Sequence, residues 1–112
     1  MNKTSHIVEI LKLLKKKGVQ ILDCVPLCDY LENKQSLASA LEVICEEFLS
    51  SSNTASIQIS IYTDLYDCDE YIQVLIDEKK RIDSFFEIVK SVYERIRDYL
   101  TDSDGWIQIE RR

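Results

Sequence analysis

The run from Lys79 to Leu100 constrains this chain more than any other stretch. Its apolar residues, Ile82, Phe85, Phe86, Val89, Val92, Tyr93, Ile96, Tyr99 and Leu100, recur at steps of three and four. That spacing is the mark of one buried helix face. A helix over 79–101 spans roughly 30 Å, enough to cross a small sheet.

The flanking stretches alternate with period two instead. In 56–63, Ile57, Ile59 and Ile61 oppose Gln58, Ser60 and Tyr62. In 70–77, Ile72, Val74 and Ile76 oppose Tyr71, Gln73 and Leu75. Each is the pattern of a half-buried strand, and the short acidic segment between them predicts a hairpin. A third alternation, Trp106–Glu110, follows the turn-forming Asp102-Ser103-Asp104-Gly105 and places Ile107 and Ile109 on one side. The expected unit over 53–112 is therefore ββαβ, with the helix lying across an isoleucine- and valine-rich face.

Residues 1–52 read as helical. Ser5 is the expected cap of a helix from His6 to Lys17, with Ile7, Ile10, Leu11 and Leu14 on one face, lysines in its last turn and Gly18 as its stop. Val19–Val25 shows no clear period and reads as irregular or as a short edge strand. Pro26 suits the first turn of a short helix to Tyr30 or Leu31. Ser36 is the expected cap of a second long helix, with Leu37, Ala40, Leu41, Ile44, Cys45, Phe48 and Leu49 at helical spacing. The predicted fold class is α+β, in a single domain over 1–112. It comprises a small, mainly antiparallel sheet of at least three strands, the helix 79–101 across one face, and two N-terminal helices. The strand order is left open by the sequence.

Charge narrows the function classes. The net charge is −6, but residues 1–20 hold five lysines against Glu9, leaving nine basic against nineteen acidic residues in the rest. A body at −10 repels phosphate backbones, so nucleic acid is not an expected partner. The second helix is acidic where a DNA-reading helix would be basic. The apolar runs are too short to span a bilayer, so no membrane role is expected either. Cys24, Cys28, Cys45 and Cys68 fall singly, without a C-x-x-C spacing and without a secretory-type leader. They read as reduced thiols in a cytoplasmic protein, with mostly core roles.

Four groups of residues could carry chemistry. The loop from Asp64 to Glu70 concentrates carboxylates suited to a divalent cation, but it departs from the calcium-loop template and has the composition of an ordinary turn. His6, the only histidine, has no partner nearby in sequence for zinc or nucleophilic chemistry. Lys79, Lys80 and Arg81 cluster where the long helix begins, a place that favours an anion, although Asp77 and Glu78 neutralise them. Opposite the isoleucines, Tyr62, Tyr71, Leu75 and Trp106 form an unusually aromatic outer sheet face, to be covered either by the N-terminal helices or by another chain.

No catalytic set emerges, and no cofactor or metal is implied. The expected role is a non-catalytic interaction or regulatory module, either a homodimer or an acidic partner of another protein, with Tyr62, Tyr71, Leu75 and Trp106 as its interface. The alternatives are an anion- or small-ligand-binding domain at Lys79, Lys80 and Arg81, and last a divalent-metal enzyme using the acidic loop.

Overall fold

The computed structural model describes residues 3–51, 56–66, 69–77, 82–102 and 105–111. Helix α1, Lys3–Lys16, leads through the two-residue strand β1, Gln20–Ile21, into α2, Cys24–Glu32, and α3, Gln35–Ser51. Strands β2, Ser56–Thr63, and β3, Glu70–Asp77, form the hairpin. Helix α4, Ile82–Asp102, then leads to β4, Ile107–Arg111. The α+β class holds: α1 and α3 are the two long N-terminal helices expected, and α2 is the short helix that Pro26 suggested, extended to Cys24–Glu32.

The sheet order is β1-β2-β3-β4. Its pairing is mixed, which corrects the expectation of a mainly antiparallel sheet. Only β2 and β3 run antiparallel; β1 with β2 and β3 with β4 are parallel. The cause lies in the connections. A tight hairpin reverses the chain, whereas α2–α3 and α4 each carry it back across the sheet before the next strand begins.

Both helical connections pack on one sheet face. Ile57, Ile59, Ile72, Val74, Ile76 and Ile107 join Leu14, Leu27, Leu41, Phe48, Phe85, Val92 and Ile96 in one buried apolar cluster. The rings of Phe48 on α3 and Phe85 on α4 meet with centroids 5.7 Å apart, and Glu47 pairs with Arg95 across the same helices. The neighbouring Phe86 is 59% exposed, although the sequence pattern had counted it in the buried face. One residue rotates a helical side chain by about 100°. The buried stripe follows Phe85, Val92 and Ile96, and Phe86 points off it.

Gly18 ends α1 as its position suggested. It adopts φ 93, donates its N–H to the Lys15 carbonyl at 3.0 Å, and lets Val19 donate to Leu14 at 3.0 Å. This paired closure favours glycine in the left-handed region. The helix begins at Lys3, so Ser5 lies inside its first turn, and Ser36 likewise lies within α3. Among the described residues no helix is long and apolar enough to cross a membrane.

Candidate functional site

The strand register sorts the outer sheet face into rows. Tyr62 stands opposite Tyr71. Because Ile72 pairs with Ile107, Trp106 lies one step earlier, beside Tyr71. Three of the four predicted interface residues thus share one row at one end of the sheet. The next row is Ser60, Gln73 and Gln108, where the Gln73 amide donates to the Glu110 carboxylate at 2.9 Å. Leu75 stands apart, four residues from Tyr71 or roughly 13 Å along the strand, between Gln58 and Glu110.

The helices leave this face open. Its residues are half-buried or exposed, in contrast to the buried isoleucines behind them. The Tyr62 and Tyr71 rings lie 5.0 Å apart as a cross-strand pair, a contact worth about 0.2–1 kcal/mol. Tyr62 remains 45% exposed and Trp106 47% exposed.

The hairpin tip extends the same end. Leu65 and Tyr66 are 90% and 97% exposed. The Asp64 carboxylate accepts the Tyr66 N–H at 2.8 Å, and the Asp64 N–H donates to the Asp69 carbonyl at 2.8 Å. Asp64 therefore shapes the turn that displays these two side chains. Asp67 and Cys68, which complete the acidic loop, lie outside the described residues.

At the other side of the row, Trp106 folds over the sheet edge. Its indole stacks on Tyr93 of α4, with centroids 5.8 Å apart and planes 14° from parallel, and its Nε1–H donates to Gln108 Oε1 at 3.1 Å. The Tyr93 hydroxyl donates to the Ile107 carbonyl and accepts the Ile109 N–H, both at 3.0 Å. A side chain thereby occupies backbone groups of β4 that would otherwise form a free strand edge. Burial holds the Tyr93 phenol above its ordinary value; the Ile109 N–H opposes that shift and the Glu110 carboxylate adds to it. Between α4 and β4 opens a groove of about 570 Å3, with Tyr93, Arg97, Leu100, Trp106 and Gln108 among its walls.

Tyr30 braces this end from the helical layer. It donates to the Glu70 carbonyl at 3.3 Å and accepts the Trp106 N–H at 3.2 Å. Gly105 is required beside it: a Cβ there would sit 2.7 Å from the Tyr30 hydroxyl and 2.8 Å from Leu37 Cδ1.

The sequence left Leu65, Tyr66 and Tyr93 out of the site. The first two had a legible signal, since a leucine and a tyrosine are unusual in a turn of carboxylates. Tyr93 had none, because a helical period does not distinguish a core position from one that reaches around a sheet edge. His6 is exposed on α1. Lys79, Lys80 and Arg81, the predicted anion site, lie outside the described residues. Among the described residues, no three His, Cys, Asp or Glu side chains converge on a metal-sized centre. The aromatic row, the hairpin tip and the edge groove together display exposed, polar-tipped rings at one end of the sheet. No protein-family model, curated protein or solved structure matches this chain.

Proposed function

We propose that this chain is a non-catalytic interaction module that engages another protein surface, in the first instance a second copy of itself, through the aromatic end of its outer sheet face. One observation carries the reading: Tyr62, Leu65, Tyr66 and Trp106 are all substantially exposed and gather at one end of the sheet. Isolated exposed apolar residues are ordinary, but a contiguous group marks an interaction surface. Tyrosine and tryptophan suit that use, since they offer large contact area and keep a polar atom for water or a partner.

Sedimentation across a concentration series tests this directly. The wild type should associate, and the emission of its single tryptophan should shift to the blue as it does so. Trp106→Ala should weaken association by about 2 kcal/mol, or thirtyfold, while the monomer keeps its circular dichroism. Leu65→Ser should weaken it too. A strict monomer refutes self-association and transfers the surface to a different protein partner. Association unchanged in both variants removes the aromatic end from the interface.

A further inference from the structure

The two edges of the sheet are finished differently. On β4 the Tyr93 hydroxyl occupies the Ile107 carbonyl and the Ile109 N–H. At the opposite edge β1 covers β2 only at Gln58 and Ile59. The Leu22 N–H donates to the Ile59 carbonyl at 2.8 Å. The chain then leaves the sheet at Asp23, whose left-handed backbone (φ 52, ψ 48) opens α2. Residues two apart on a strand aim their backbone groups towards the same neighbour. The Ile59 carbonyl faces β1, so the backbone groups of Ile61 and Thr63 face that edge too, past the end of β1. Asp64 keeps the alternation, because its N–H runs the other way, to Asp69 across the hairpin. Among the described residues, no strand covers Ile61 or Thr63 on that side.

A bare strand edge is a template for another strand, and proteins usually spoil it with lysine, proline, a bulge or a covering segment. Strand β2 carries none of the first three. Ser56–Thr63 has no charged residue and no proline, in a chain that is 30% charged, and it pairs with β3 residue for residue. We propose that the Ile61–Thr63 edge of β2 pairs antiparallel with the same edge of a second copy, joining two sheets into one. The proposal rests on self-association as the role of this module, and it adds a strand edge to the face already named.

A second copy fits this edge on three counts. A two-fold axis at Tyr62 sets Ile61 against Thr63 of the second copy and Thr63 against its Ile61, so the outward N–H and C=O groups of both residues are all used. Tyr62 then faces Tyr62 of the second copy on the same outer face, at the closer, non-hydrogen-bonded spacing. That repeats the ring contact between Tyr62 and Tyr71 within the hairpin, and the row Trp106, Tyr71, Tyr62 runs on through the axis into its own image. Charge permits the approach: each chain carries −6, yet Ile61, Tyr62 and Thr63 carry none of it. A strand from an unrelated chain could fill the same hydrogen bonds, but a copy also places a tyrosine opposite Tyr62.

The test is sedimentation of the full chain and three variants. Thr63→Pro deletes an N–H that points away from β3, so the hairpin keeps its bonds while the joint loses two. Association should weaken by about thirtyfold or more, with circular dichroism unchanged. Tyr62→Lys and Tyr62→Glu should each be monomeric where the wild type is assembled, since like charges meet across the axis. An equimolar mixture of the two should associate again. A folded Thr63→Pro that assembles like the wild type overturns the edge, and so does a mixture that stays apart. A wild type that is a strict monomer overturns it as well, even one that takes up an extended segment of a different protein. Trp106 lies two strands from the axis, so edge and face are told apart. Loss in Trp106→Ala with Thr63→Pro intact removes the edge and leaves the face; the reverse removes the face and leaves the edge. Should Thr63→Pro fail to fold, the charge-paired mixture decides.

Discussion

The two faces of the sheet share their strands and differ in almost everything else. On the inner face Ile57, Ile59, Ile72, Val74, Ile76 and Ile107 are at most 1% exposed; these are branched aliphatics that interlock with the helices. On the outer face, at the intervening positions, stand tyrosines, glutamines and one leucine, none of them buried. Strand geometry makes the separation possible, since successive side chains point to opposite faces. Stability is concentrated on one parity of the strand sequence and the proposed contact surface on the other. A substitution can therefore disturb either without the other, and four measurements probe how complete that division is.

The largest effect should come from the helix that covers the inner face. Phe85 is 2% exposed and Phe86 is 59% exposed, one residue apart on α4. Phe85→Ala should cost about 3–5 kcal/mol in denaturant unfolding, through lost burial and the cavity left behind. Phe86→Ala should stay within about 1 kcal/mol, as exposed sites usually do. Equal costs would show that α4 sits on the sheet with a different rotation from the one described.

The same layer should be sensitive to alkali. The Cys45 thiol on α3 is pushed up to about 12, first by burial, with Lys17 drawing it back and Glu46 adding to the rise. In the unfolded chain it ionises near its ordinary 9.0. The unfolded state then holds fewer protons than the folded state between those values, so stability is fully present below pH 9.0 and falls as pH rises towards 12. The loss attributable to this group is up to roughly 4 kcal/mol. Cys45→Ala should flatten that part of the profile in chemical unfolding, and an unchanged slope would mean the thiol is hydrated in the folded state.

Tyr93 sits where the two faces meet, and its removal should give an intermediate effect. Tyr93→Phe keeps the ring against Trp106 but deletes the hydroxyl that serves both Ile107 and Ile109. Backbone groups left unpaired in a half-buried setting cost about 1–3 kcal/mol. The variant should also expose strand edge, so light scattering at high concentration should rise. A loss of stability without added association would indicate that the groove itself shields β4.

Much of this division was legible in the sequence, and the physics explains where legibility stopped. Period-two alternation assigned Ile59 and Val74 to one face and Tyr62 and Tyr71 to the other, because parity survives any choice of neighbour. Strand order and direction did not follow, since they depend on where α2–α3 and α4 return the chain. The two residues of β1 are too few to show a period at all; Gln20 and Ile21 count as a strand only because β2 supplies their partners. The same holds for the site. Tyr62, Tyr71 and Trp106 were identifiable singly, but their alignment in one row required the register of β4 against β3. Leu75 shares their parity but lies two rows further along the sheet.

The smallest expected effect tests the outer face on its own terms. Tyr62 and Tyr71 face each other across the hairpin with centroids 5.0 Å apart, so Tyr62→Ser forfeits a cross-strand ring contact. Such pairs are worth about 0.2–1 kcal/mol, and Tyr62, at 45% exposed, leaves no enclosed cavity when truncated. Thermal unfolding should therefore move by only a few degrees. Set beside Phe85→Ala, that difference measures how far the faces are energetically separate. If Tyr62→Ser cost as much as Phe85→Ala, the aromatic row would be structural and the case for an interface there would fail. If it left stability nearly untouched while weakening association as Trp106→Ala does, the row would act as one contact surface, because Tyr62 lies across Tyr71 from Trp106 and a single partner would have to cover all three.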